Sequence, residues 1–155
     1  MTVSSSFPLR FAGKDLVLKR QSGRIISYDL QLQKGAVVLD NLAYPNGIVF
    51  DEATQEIVFS ELTHHSISSY SVNESNPSKK EIINNLFGYP DNLKLNEKGD
   101  LYVGIPAVRD PSIEYLNQNP SIRKQFLYVP DQILEMMTKD IAGGIKIDLK
   151  SGKIT

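Results

Sequence analysis

Two short loops carry the residues best suited to chemistry in this chain. Tyr44-Pro45-Asn46-Gly47 returns as Tyr89-Pro90-Asp91-Asn92, 45 residues later. Asn carbonyls and Asp carboxylates are hard oxygen donors, which suit Ca²⁺ and its shell of roughly six to eight ligands. Asn46, Asp91 and Asn92 are therefore candidate metal ligands. The same triplets are also good turn sequences, in which Pro presets φ and Asn or Asp bonds its own backbone. On the residues alone both readings stand.

A second group is Ser60-Glu61-Leu62-Thr63-His64-His65. A neutral imidazole can act as a base near neutral pH. Adjacent histidines on a strand point to opposite faces, so only one of them would meet a substrate. A solvated strand end is the alternative, and no partner acid can be assigned. Glu61 is expected either to face an interior channel or to pair with Arg24 or Lys34. Other chemistries lack their residues. There is no Gly-x-Ser-x-Gly, no phosphate-binding glycine loop and no zinc-type His cluster. Cysteine is absent, which excludes disulfides and thiolate metal sites. The net charge is −1, and Arg123, Lys124 and Lys139 are scattered. Nucleic acid and anionic membrane surfaces are thus poor partners.

The elements that must hold these residues are short. Runs such as Arg24–Asp29, Ala36–Leu39, Gly47–Phe50, Glu56–Phe59, Ser66–Val72, Glu81–Ile83, Leu93–Leu95 and Asp100–Gly104 are rich in Ile, Val and Tyr. Gly, Asn, Asp and Lys punctuate them, which predicts strands in an all-β fold. Internal repetition narrows the choice. Each Tyr-Pro pair follows an Asn-Leu, at 41–42 and at 85–86, and Ile25-x-Ser27-Tyr28 returns as Ile67-x-Ser69-Tyr70. A period of about 40–50 residues with about four strands marks propeller blades.

The pattern changes after Gly104. An insertion at about 112–142 is expected to hold one or two helices, broken at Pro120. Its second part, Asp131 to Ile141, has a capping Asp and an apolar stripe through Ile133, Leu134, Met137 and Ile141. Met136 and Met137 are expected to pack in a core or lid. Strand character resumes at Gly144–Leu149 and again at Ile154-Thr155. A chain of 155 residues holds little more than three blades of this size, and propellers generally need at least about four to close. The expectation is therefore one domain over 1–155, an incomplete propeller that forms part of a longer protein.

Several pieces carry a family resemblance. They are Gly23-Arg24-Ile25-Ile26-Ser27-Tyr28-Asp29, Val38-Leu39-Asp40-Asn41-Leu42, the two Tyr-Pro loops, Ser60-Glu61-Leu62 and Leu101-Tyr102-Val103-Gly104. In order and spacing, residues 23–104 resemble the strictosidine synthase and adipocyte membrane-associated protein family, and the paraoxonases. Thr2-Val3-Ser4-Ser5-Ser6 resembles the end of the preceding family strand. The resemblance implies an all-β six-bladed propeller. It also implies that Asn46, Asp91 and Asn92 bind a central calcium, as in paraoxonase-like members; the plant synthases keep similar loops without a metal. A His at the place of His65 is also paraoxonase-like.

The implied activity is calcium-dependent hydrolysis of an ester or lactone. The alternatives are a Pictet-Spengler condensation of an amine with an aldehyde and a non-catalytic glycoprotein or binding module. Asn73-Glu74-Ser75 fits the glycosylation pattern, which is common by chance. The catalytic Glu of the synthases falls after the last outer strands, beyond this chain, so no catalytic residue is assigned and the chain alone is expected to be inactive. Family resemblance points to the secretory pathway, with membrane attachment only through a preceding segment.

Overall fold

The computed structural model describes residues 2–4, 18–73, 75, 77–125, 128–130 and 141–155. Its strands form three antiparallel sheets, each a meander in chain order. The first holds β1 (Thr2–Ser4), β2 (Gly23–Asp29) and β3 (Lys34–Leu42). The second holds β4 (Pro45–Asp51), β5 (Glu56–Glu61), β6 (Ser66–Ser71) and β7 (Lys79–Ile83). The third holds β8 (Leu93–Leu95), β9 (Asp100–Ile105), β10 (Gly143–Asp148) and β11 (Lys153–Ile154). Four-stranded meanders repeating along the chain are propeller blades. The chain is a partial β-propeller.

The polar punctuation makes the hairpins. Asp29 Oδ1 accepts from the amides of Gln31 and Leu32 at 2.8 and 2.9 Å. Asp51 Oδ1 does the same for Ala53, and Asn96 Oδ1 for Lys98 and Asp100. In these three hairpins a short side chain that mimics a backbone turn ends one strand and starts the next.

Two apolar seams join the sheets. Ile25 and Leu42 of the first pack on Ile57 and Phe59 of the second. On the other face, Val58 and Ile67 pack on Leu101, Val103, Ile105 and Ile147 of the third. The middle strand β5 is therefore covered on both faces, and every residue from Ile57 to Glu61 is buried. Each fully buried Ile or Phe contributes about 1.5–3 kcal/mol. The outer sheets are less covered, and Val37 and Tyr102 stand half-exposed. The first strands of the three sheets adjoin, since β4 touches both β1 and β8.

The insertion begins with two helices. Asp110 caps α1 (Pro111–Gln118) by accepting from the Ser112 amide at 2.8 Å, and Pro111 opens the first turn. Both choices are favourable, since Pro has no amide to orphan there. Leu116 is the residue of α1 that is buried, and Pro120 starts α2 (Pro120–Gln125). The expected helix over Asp131 to Ile141, with Met136 and Met137, lies outside the described residues apart from Ile141. Among the described residues, no helix is long and apolar enough to cross a membrane.

Candidate functional site

The two Tyr-Pro loops occupy equivalent corners. Asn41 and Asn85 both take the left-handed conformation, with φ of 55° and 53°. Asn tolerates that region better than most residues. The Leu after each, Leu42 and Leu86, is 2% exposed and anchors the corner in a seam. The chain then passes through Pro45 into β4 and through Pro90 towards β8.

The structure brings the backbones of the two loops together. A Cβ on Gly47 would lie 2.3 Å from the Asp91 carbonyl oxygen and 2.7 Å from the Leu93 amide nitrogen. Only Gly permits that approach. The buried Ser60 hydroxyl accepts from the Gly47 amide at 2.8 Å and donates to the Asp91 carbonyl at 2.9 Å. Asp91 and Asn92 are held in turn by Gly104, through bonds of 2.9 and 3.0 Å. Asn46 and Asp91 are half-buried, whereas Asn92 is exposed. Asn92 also borders an open cleft of about 540 Å³ lined by third-sheet residues, including Tyr102 and Gly104.

These residues fit part of a calcium shell. Burial pushes the Asp91 carboxyl above its ordinary pKa, and no neighbouring cation offsets that effect among the described residues. A bound cation would lower it again. One carboxylate and two amide oxygens are hard donors, yet fewer than calcium takes. No group of three His, Cys, Asp or Glu side chains suited to a metal occurs among the described residues. By donor chemistry alone Asn46, Asp91 and Asn92 suit calcium, and by number they fall short of its full shell.

The histidines differ from the expectation. They do not lie on a strand, because the chain turns after Glu61 into a short 3₁₀ helix, Leu62–His64. His65 caps it in the left-handed region at φ 53°. His64 stays exposed, with Nε2 3.2 Å from Gln21 Nε2. His65 is 4% exposed and packs on Tyr89, ring centroids 4.7 Å apart. Its Nδ1 is 3.3 Å from the Gly88 carbonyl, so Nδ1 carries the proton. Its Nε2 is buried with no hydrogen-bond partner among the described residues. Burial, followed by repulsion from Arg109 and Lys19, pushes the His65 pKa down to about 4.

Glu61 likewise departs from its expected partners. It pairs with Lys79 at 2.5 Å, not with Arg24 or Lys34. The side chain is fully buried and accepts from the Ala43 amide at 3.0 Å and from Ser68 Oγ at 3.3 Å. It therefore braces the corner between the first two sheets. Sequence reading also missed Ser60, which looks like any strand serine, and the ion pair of Arg109 with Glu114. The spacing of that pair across the Asp110-Pro111 cap was its only signal.

A family model described as strictosidine synthase matches residues 1–75. Protein STRICTOSIDINE SYNTHASE-LIKE 13 of Arabidopsis thaliana is 33% identical over 109 residues, covering 70% of this chain and 27% of that protein. The adipocyte plasma membrane-associated protein of Danio rerio is 29% identical over 124 residues, covering 76% of this chain and 30% of that one. Among solved structures, a luciferin-regenerating enzyme is similar over 54% of this chain and 29% of its own, at 18% identity and a TM-score of 0.46. The chain spans about a third or less of the length of these relatives.

Proposed function

The chain belongs to the strictosidine synthase-like family, and on that premise we propose that it carries one side of a calcium site in a six-bladed propeller that hydrolyses esters or lactones. The observation that supports this reading is the contact between the two loops. It brings Gly47, the residue after Asn46, against the Asp91-to-Leu93 backbone, where β4 adjoins β8. Asp91 brings a partly desolvated carboxyl, whose pKa burial raises.

Asn46, Asp91 and Asn92 would hold the ion from this side. When bound, calcium polarises a carbonyl oxygen and stabilises the charge that develops on it. The chain's own residues bind and orient. Gly47 allows the loops to approach, and Gly104 fixes the Asp91-Asn92 backbone. Neither His65 nor Glu61 acts as a base in this reading, because both are engaged in bracing corners. A secretory-pathway or membrane-associated setting is proposed from the resemblance and from the name of the adipocyte relative.

Arylesterase and lactonase assays on a full-length protein carrying this chain, with and without chelator, test the proposal. Activity that vanishes on chelation and returns with calcium is the expected result. No activity, with a chelator-induced fall in melting temperature, would instead make the ion structural and the propeller a binding module. Indifference of both activity and stability to chelator would remove the calcium assignment.

A further inference from the structure

We propose that Ser60 is the positioning residue of the two-loop site: its hydroxyl sets the spacing of the loops and thereby the calcium affinity. The inference rests on the calcium reading above. It starts from an irregularity in the ladder. Pro45 pairs with Glu61 and Ile48 with Phe59, and the register shifts between them. Asn46 and Gly47 thus both stand opposite Ser60, as in a β-bulge, a device that re-aims side chains and recurs beside functional sites. The bulge removes the Gly47 amide from regular pairing. Ser60 Oγ takes it up at 2.8 Å.

The same oxygen then reaches across the sheet boundary. It donates to the Asp91 carbonyl at 2.9 Å. The direction of this relay is fixed, because a peptide N–H can only donate and a carbonyl can only accept. A hydroxyl can do both at once, which Ala cannot and Val cannot. Ser60 is 0% exposed, so water does not compete for either bond. The two peptides it ties are the one joining Asn46 to Gly47 and the one joining Asp91 to Asn92. These are the peptides flanked by the three candidate ligands. Gly47 supplies the other half of the arrangement, since any side chain there would strike the Asp91-to-Leu93 backbone. The bulge, the glycine and the serine together define one spacing between loops that come from different sheets.

The test uses calcium alone as the probe, on a full-length protein carrying this chain. Calcium titrations and thermal melts, in chelator and in saturating calcium, are compared for wild type, Ser60→Ala and Ser60→Cys. Ser60→Cys keeps the shape and weakens both bonds, which covers the case in which Ser60→Ala fails to fold. Wild type is expected to gain melting temperature on calcium addition. Ser60→Ala is expected to lose affinity by roughly tenfold or more, and Ser60→Cys by less, following the usual cost of unpaired buried polar groups. The calcium-dependent rise should shrink in the same order. A drop in melting temperature of equal size with and without calcium, at unchanged affinity, would make Ser60 merely structural and overturn the proposal. Wild type that shows no calcium response would overturn the calcium reading itself, and this role with it.

Discussion

Glu114 of the insertion helix stands 3.7 Å from His65 Nε2 while two nitrogens of Arg109 grip its carboxylate, at 3.1 and 2.7 Å. The histidine gains little from this neighbour. Its Nε2 carries no proton in the tautomer that Gly88 selects, so two acceptors face each other. Arg109 and Lys19 add positive charge nearby. The imidazole is therefore held neutral inside the fold.

Stability should fall with pH because of that. The His65 pKa lies at about 4 in the folded chain, against 6.5 for the ordinary side chain. Between those values the unfolded chain binds a proton that the folded chain refuses. The contribution is fully present above the unfolded pKa and is lost as pH falls towards the folded one. The whole window corresponds to about 3 kcal/mol. Urea midpoints at pH 7, 5.5 and 4.5 check this. His65→Asn, which tolerates the left-handed conformation, should lose less stability on acidification than wild type. Parallel profiles for the two would refute the assignment.

The ion pair behind His65 should behave as a unit. Arg109 also donates to the Asn85 side chain and to the Leu86 carbonyl, the latter at 3.3 Å, so it ties the insertion to the second corner. Arg109→Ala is expected to cost about 1–3 kcal/mol, because it strands three acceptors. Glu114→Gln should cost less. The double variant should be less destabilised than the two costs combined, with a coupling of about 0.5–3 kcal/mol in chemical denaturation. Simple additivity would show that the partners act independently.

Glu61 offers a sharper contrast. Its carboxylate is fully buried and bonded to Ala43, Ser68 and Lys79. Glu61→Gln keeps an oxygen for the Ala43 amide, whereas Glu61→Ala leaves that amide and the Lys79 ammonium without it. Lys79 is exposed, so its charge stays solvated, and the cost comes from the buried Ala43 amide and Ser68 hydroxyl losing their acceptor, about 1–3 kcal/mol. Glu61→Ala should approach that range and Glu61→Gln should fall well below it. Equal losses in thermal or urea unfolding would mean that shape, and not hydrogen bonding, fixes this corner.

The sequence made the scaffold readable because strand and turn signals are local. Alternating Ile, Val and Tyr runs ended by Asp29, Asp51 and Asn96 became strands ended by side-chain turns. The Asn-Leu echo became two corners that share a left-handed Asn, although Tyr44 is left-handed too and Tyr89 is not. The site was readable only as far as its loops. Ser60, Lys79 and Glu114 act across sheets or from the insertion, and nothing in their own neighbourhoods marks the partner. The histidines were misplaced for a related reason. The chain leaves β5 at Glu61 through a 3₁₀ turn, and that turn puts both onto a corner. Strand alternation could not foresee which of the two would be buried.

Gly47 provides a test of the loop contact that replaces none of the candidate ligands. Its conformation demands nothing special, since the left-handed glycines among the described residues are Gly99 and Gly152. The demand at Gly47 is space, because a methyl group would meet the Asp91 oxygen at 2.3 Å and the Leu93 amide at 2.7 Å, both backbone atoms that cannot rotate away. Gly99 is the reverse case, with φ of 85° and nothing within 4 Å. Gly99→Ala should cost about 1 kcal/mol of backbone strain and leave the calcium response unchanged. Gly47→Ala should cost about 1–3 kcal/mol from overpacking. It should also reduce the calcium-dependent rise in melting temperature, because the loops can relieve the clash only by moving apart. Melts of both variants with and without calcium separate the two effects. A Gly47→Ala chain that loses stability yet keeps the full calcium rise would show that loop spacing does not govern the ion.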